Sequence, residues 1–300
     1  MRRIAATIAV ATVAATLAMA GGAPAFAAHR ASSNTTTATY YLSLGDSLAQ
    51  GVQPNSSGVS VETNQGYPNQ LFTALHMTNP TLKLVKLGCP GETTTTMING
   101  GICTYSTGSQ LKQAVAFINK HHASIKLITI DIGANDLNPC VTLTSLPKLI
   151  KCLEKAFKVI KTNLATIMAA LTAAGGSNLP PTIGMTYYVP ELAGWLQGTP
   201  AAKALAKDSV ALGQAFGSLL SGIYTAFGAK VADVFDAFQS TVPFSKRVNT
   251  AAFGRIPLAV AYVCSYTWQC APPPRGPNEH ANVLGYGIIA NTFLTTYLGT

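Results

Sequence analysis

Tyr40-Tyr41-Leu42-Ser43-Leu44-Gly45-Asp46-Ser47-Leu48-Ala49-Gln50-Gly51 is the stretch from which the rest of the chain reads outward. Its first half is a short apolar, aromatic run, the pattern of a buried strand. The run stops at Gly45-Asp46-Ser47, three turn-forming residues. A serine just past a strand's C-terminal end stands where open α/β sheets hold their ligands, and its N–H can point at an anion. Alone, such a tripeptide is equally an ordinary turn. Its meaning depends on partner residues further down the chain.

Four further strand-like runs occur: Leu82–Leu87, Ile125–Asp131, Thr182–Val189 and Lys230–Phe235. Between them the apolar residues repeat at helical steps. A short helix is predicted near Pro68–Met77, and Leu111, Val115 and Ile118 mark another. The longest runs through Leu146, Ile150, Leu153, Phe157, Ile160, Leu164, Ile167 and Leu171, with Ser145 as a candidate cap and Gly175-Gly176 as its stop. Leu205, Leu212, Phe216, Leu219, Ile223 and Phe227 mark the next, and a last helix is expected from Ala281 to Tyr297. Residues 51–66 read as loop, and 239–276 show no clean period. Strands alternating with helices imply parallel pairing with helices on both faces of the sheet. The turns after the first three strands should then gather along one edge.

Composition narrows the class. Met1-Arg2-Arg3, an apolar run to Ala20 and the small-x-small end Ala25-Phe26-Ala27 describe a secretory signal peptide over 1–27. Residues 28–38 are a polar linker, expected to be mobile, and 39–300 a single domain. The product is expected to be secreted and monomeric. A net charge of +9 with only 10% charged residues is modest and dispersed. Lys148, Lys151, Lys155, Lys158 and Lys161 read as a helix's solvated face. No basic cluster interleaves with aromatics, which argues against nucleic acid, while transient contact with anionic lipid or cell-wall surfaces fits the charge. The six cysteines fall into three local pairs, so Cys89-Cys103, Cys140-Cys152 and Cys264-Cys270 are the simplest disulfides for an exported chain, each worth roughly 3 kcal/mol or less. No zinc spacing, nucleotide loop or metal motif occurs, so no cofactor is expected.

A serine ester hydrolase needs a nucleophile, a base in reach of it and donors for the developing oxyanion. Ser47 is the candidate nucleophile. Of the five histidines, His29 is in the linker, His76 is in a short helix and His121-His122 form a polar helix end. Only His280 comes after the last sheet element, where a loop can return to the strand edge. The Ser47 N–H, the N–H of Gly91 in its Pro-Gly turn, and the Asn135 amide are the candidate donors.

With these residues in order, the chain resembles the SGNH or GDSL-type hydrolase family. Gly45-Asp46-Ser47-Leu48, Gly91 within Gly88-Cys89-Pro90-Gly91-Glu92-Thr93-Thr94, Gly133-x-Asn135-Asp136 and His280 correspond to its four blocks. The resemblance implies a flavodoxin-like three-layer αβα sandwich with a five-stranded parallel sheet. It implies Ser47 and His280 as nucleophile and base, with Ser47, Gly91 and Asn135 forming the oxyanion hole. The pattern looks most like secreted bacterial lipases and esterases with three disulfides, acting on small-molecule or lipid esters. One position departs: where the family usually has Asp, three residues before the histidine, this chain has Pro277. The Pro277 backbone carbonyl is therefore the first candidate to orient His280, with Glu279 second and Asn278 third. Activity is expected to fall as pH drops through about 6.5, the ordinary imidazole value. Pro190–Leu196 and the run from Phe253 to Tyr262 are candidate walls of an acyl trough. Carbohydrate or polyester esters, or transfer to an alcohol, would use the same blocks, and a secreted binding module with a decayed site is the reading from another class.

Overall fold

The computed structural model describes residues 37–141, 145–176 and 179–300; the expected leader and residues 28–36 of the linker lie outside the described residues. The Tyr40–Gly51 stretch forms β1 (Thr39–Gly45), which runs into a single turn, α1 (Ser47–Gln50), capped by Asp46, whose carboxylate accepts the Leu48 N–H at 2.9 Å. A small ladder of β2 (Gln53–Pro54) and β3 (Ser60–Val61) occupies the segment read as loop. Next come α2 (Tyr67–His76), with Pro68 in its first turn, and β4 (Leu82–Lys86). A capping box between Thr93 and Thr96 starts α3 (Thr94–Asn99), and Ser109 caps α4 (Gln110–His121).

β5 (Ile125–Asp131) leads to α5 (Asn138–Val141) and the long α6 (Leu146–Gly175). Ser145 stands at the N-cap position of α6 without a capping hydrogen bond, and Gly176 ends the helix. Then come β6 (Thr182–Met185), α7 (Pro200–Ala226), β7 (Lys230–Ala232) and α8 (Val234–Ala237). Both strands are shorter than their apolar runs. Beyond β6 the Thr186 hydroxyl bonds to Asp233, and Asp233 caps α8 by accepting the Asp236 N–H at 3.2 Å. The segment without a period holds a hairpin, β8 (Arg247–Thr250) and β9 (Gly254–Pro257), and α9 (Leu258–Tyr266). The sequence of α9, Leu-Ala-Val-Ala-Tyr-Val-Cys-Ser-Tyr, is almost wholly apolar, so it shows no one-sided stripe. α10 (Val283–Leu298) closes the chain.

The main sheet has the order β4-β1-β5-β6-β7 with every neighbouring pair parallel. Helices flank it in two groups: α2 packs on α10, while α4 and α7 pack on α6 together with α3. This is the three-layer α/β sandwich expected. Tyr41, Leu42, Leu44, Leu127, Ile128 and Ile130 are fully buried, as strands covered on both faces require. The strand order reverses at β1: the chain crosses first to β4 and then back to β5. Loops leaving the ends of β1 and β5 therefore diverge and open a crevice between them. Disulfides join Cys89 to Cys103, Cys140 to Cys152 and Cys264 to Cys270, the sequential pairing expected. Among the described residues no helix is long and apolar enough to cross a membrane.

Candidate active site

The turn that presents Ser47 is shaped by the contact between β1 and β5. Gly45 has φ +138°, and a Cβ there would collide with the carbonyl oxygen and carboxylate of Asp131, so only glycine fits. The Asp46 N–H donates to the Asp131 carbonyl at 3.0 Å. The Asp46 carboxylate turns back to cap α1 and accepts the Tyr187 hydroxyl at 2.8 Å. Ser47 thus sits on a turn braced from three sides and is itself half-buried.

Gln110 is the brace that no motif announced. Fully buried, its Oε1 accepts the Gly45 N–H at 2.7 Å, and its Nε2 donates to the Gly45 carbonyl at 2.9 Å and to Glu92 Oε2 at 3.0 Å. It thereby ties the Ser47 turn to the segment carrying Gly91. Glu92 is buried, and burial raises its carboxyl above the ordinary range. The Glu92 carbonyl accepts from Asn135 Nδ2 at 3.0 Å, and Asn135 Oδ1 accepts from Asn138 at 3.0 Å. One Asn135 amide proton is left for the crevice. Gly91 has φ +81° with open space where a Cβ would stand, so backbone conformation rather than room selects glycine. Asp136 accepts from the Thr94 N–H at 2.8 Å and its hydroxyl at 2.7 Å, pinning the start of α3 to the turn after β5.

His280 arrives from the loop before α10. A bridge between Thr267 and Ala281, with the Trp268 N–H on the His280 carbonyl at 3.0 Å, folds this loop back toward the strand edge. Its Nε2 lies 3.0 Å from Ser47 Oγ. Its Nδ1 lies 2.8 Å from Asn278 Oδ1, which also accepts the His280 N–H at 3.1 Å. The expectation for Pro277 is corrected here. An Asx-type turn brings the Asn278 carboxamide under the ring, whereas Pro277 is exposed one residue further back. Glu279 is also exposed; its backbone carbonyl, not its carboxylate, is engaged, by the Tyr188 hydroxyl at 2.8 Å. Burial without a nearby compensating carboxylate lowers His280 to about 4. Elsewhere, His76 lies against Phe72 with the two rings tilted, and His121 packs on Tyr40 and Phe117.

Ser47, Asn135 and His280 open into one cavity of about 400 Å³. Gly91 is not on its wall; it joins the site through the Glu92 carbonyl that holds Asn135. Leu137, Leu149, Leu153, Val189, Leu212 and Phe216 make the lining largely apolar. Of the walls expected from sequence, Pro190 and Glu191 take part, but no residue from Phe253 to Tyr262 does. Ile256 and Val260 are buried instead. The wall comes from α5, α6 and α7, whose packing no local pattern specified. Among the described residues no group of His, Cys, Asp and Glu is arranged to hold a metal ion.

The sequence matches the model of the GDSL-like Lipase/Acylhydrolase family over residues 43–245, and the chain belongs to that family, a GDSL/SGNH-type hydrolase. That match ends before His280, whose place rests on the geometry above. The lipase Lip_vut3 from a goat rumen metagenome is 17% identical, with 86% of this chain and 97% of that one covered and a TM-score of 0.56. Phospholipase A1 from Streptomyces albidoflavus NA297 is 17% identical, covering 87% and 100%, with a TM-score of 0.53. A catalytic mutant of the acetylxylan esterase Axe2 from Geobacillus stearothermophilus is 16% identical, covering 87% and 95%, with a TM-score of 0.51. These likenesses show the fold. Comparison with curated sequences returned no match.

Proposed function

We propose that this hydrolase cleaves carboxylic esters of lipid-like acyl chains through an acyl-enzyme on Ser47. The carrying observation is the 3.0 Å approach of His280 Nε2 to Ser47 Oγ at the mouth of an apolar cavity. His280 takes the hydroxyl proton as Ser47 attacks the ester carbonyl, then returns it to the departing alcohol. The same imidazole next activates water, which releases the acid and frees Ser47. The Ser47 N–H and the remaining Asn135 amide proton supply the oxyanion donors, with the Gly91 segment holding Asn135 through the Glu92 carbonyl, and Asn135→Ala should lower turnover by about 10²–10³.

The cavity supports chains longer than acetyl, because each buried CH₂ contributes up to about 0.8 kcal/mol. Across a p-nitrophenyl ester series, kcat/KM should rise about two- to fourfold per CH₂ until the cavity is filled. A maximum at acetyl with nothing longer accepted would overturn the lipid reading in favour of small acyl groups. Covalent labelling of Ser47 by a fluorophosphonate, lost in Ser47→Ala, separates a working enzyme from a binding module. The leader-like first 27 residues support export; N-terminal sequencing of protein recovered from medium tests it.

A further inference from the structure

We propose that the mouth of this cavity is a docking face for an anionic phospholipid surface. Three large apolar residues line the cavity and yet stand out to solvent: Val141 is 53% exposed, Ile150 48% and Leu205 61%. On both helices flanking the mouth the exposed apolar residue is bracketed by lysines. α6 reads Lys148-Leu149-Ile150-Lys151, and α7 reads Lys203-Ala204-Leu205-Ala206-Lys207. Lys148, Lys151 and Lys207 are exposed and Lys203 half-buried. Lys203, Lys207 and Arg247 also gather around one indole, at 5.5, 5.7 and 5.9 Å from the Trp195 ring centre. The acids that line the cavity are the buried Asp46, with Glu191, Asp208 and Glu279, and Glu154 follows Lys151 on α6; the lysines stand outside this lining, on the rim.

An apolar centre flanked by lysines is the chemistry of an interfacial surface. The apolar side chains enter the acyl boundary, while lysine stems lie along it and carry their ammonium groups to the phosphates. Basic side chains near an anionic leaflet each add attraction that falls off within a Debye length. A second copy of the chain fits less well, because two identical lysine-flanked faces would repel. With the face on a bilayer, an acyl chain could pass into the cavity along a continuous apolar path. The inference rests on the hydrolase reading for what the face is used for, not for the binding itself.

The test uses Ser47→Ala, so that no lipid is consumed, in co-sedimentation with vesicles of phosphatidylcholine alone or mixed with phosphatidylglycerol. Binding should be strong to the mixed vesicles, weak to phosphatidylcholine, and reduced by salt. In that background the K148E/K151E pair should weaken binding at least tenfold, and Ile150→Glu should do so too. With Ser47 restored, K148E/K151E should hydrolyse monomeric p-nitrophenyl acetate at the parental rate. Equal binding to both vesicle types, no binding, or binding untouched by K148E/K151E would overturn the proposal. So would sedimentation velocity showing a dimer that K148E/K151E dissociates. A parental chain that hydrolyses p-nitrophenyl esters but binds neither vesicle type removes only the docking face. Vesicle binding with an unlabelled Ser47 removes only the hydrolase reading.

Discussion

Asn278 does for the imidazole what a carboxylate does in a Ser-His-Asp triad, but without the charge. Its Nδ2 donates to Ser60 Oγ at 3.0 Å, which turns Oδ1 toward the ring. Oδ1 then selects the tautomer with the proton on Nδ1 and the Nε2 lone pair facing Ser47. A neutral amide gives the imidazolium little support, and burial lowers His280 to about 4. Protonated His280 cannot accept the Ser47 proton, so activity is lost as pH falls through that value. The acid limb of kcat/KM is therefore expected near pH 4, well below the ordinary 6.5, and a pH–rate profile on a stable soluble ester checks it. Asn278→Asp should carry the limb upward by about one unit or more, since a carboxylate stabilises imidazolium. Asn278→Ala should lower kcat by about 10² or more through loss of tautomer control. By contrast, Glu279→Gln should stay within about tenfold of the parent, because its side chain is exposed and its carbonyl makes the contact.

At the scale of elements, the site is a set of turns locked to one another by buried amides. Gln110, the first residue of α4, spans the Gly45 backbone and Glu92 together. Gln110→Ala would leave the buried Gly45 N–H without its acceptor, at a cost of about 1–3 kcal/mol, and would free the Gly91 segment from the Ser47 turn. Denaturant unfolding should register the first effect and a fall in kcat the second. The Cys140–Cys152 disulfide works on the opposite wall, joining α5 to α6 beside Val141, Leu149 and Leu153. Replacing both cysteines with serine should raise KM for long-chain esters more than for acetyl. An equal loss on both substrates would show that the wall does not depend on the bridge.

For the whole molecule, two sets of buried groups make stability depend on pH in opposite directions. Asp46 and Asp131 are buried where β1 and β5 end, and burial raises both; for Asp131 the neighbouring charge of Asp46 adds to the effect. A raised carboxyl contributes stability that is fully present below the ordinary carboxylate value near 4 and is lost as pH rises through the folded value. His280 is the reverse: its contribution is present above about 6.5 and is lost as pH falls from there to about 4. Asp131→Asn, neutral and similar in shape, should lose less melting temperature than the parent between about pH 5 and pH 8. Parallel slopes for the two proteins would show that the carboxyl pair does not carry the dependence.

The five strands of the main sheet, the long helices between them, the parallel architecture, the three cysteine pairs and the order of the site turns are legible in the chain, whereas the two small ladders and α9 are not. Each legible feature is written in residues near one another: an apolar run, a helical stripe, a glycine at a turn. Ser47 and His280 are legible as residue types at strand edges, but only folding brings them together across 233 positions. Gln110, 65 positions from Gly45, reads in sequence as an ordinary polar helix start. Asn278 ranks behind Pro277 and Glu279 in sequence because whether a side chain or a backbone carbonyl faces the ring depends on one loop's path. The cavity wall differs from its sequence expectation for the same reason: which apolar face is left uncovered depends on how α5, α6 and α7 pack. Local chemistry wrote the elements and turns into the sequence, while contacts between distant atoms existed only once the chain had folded.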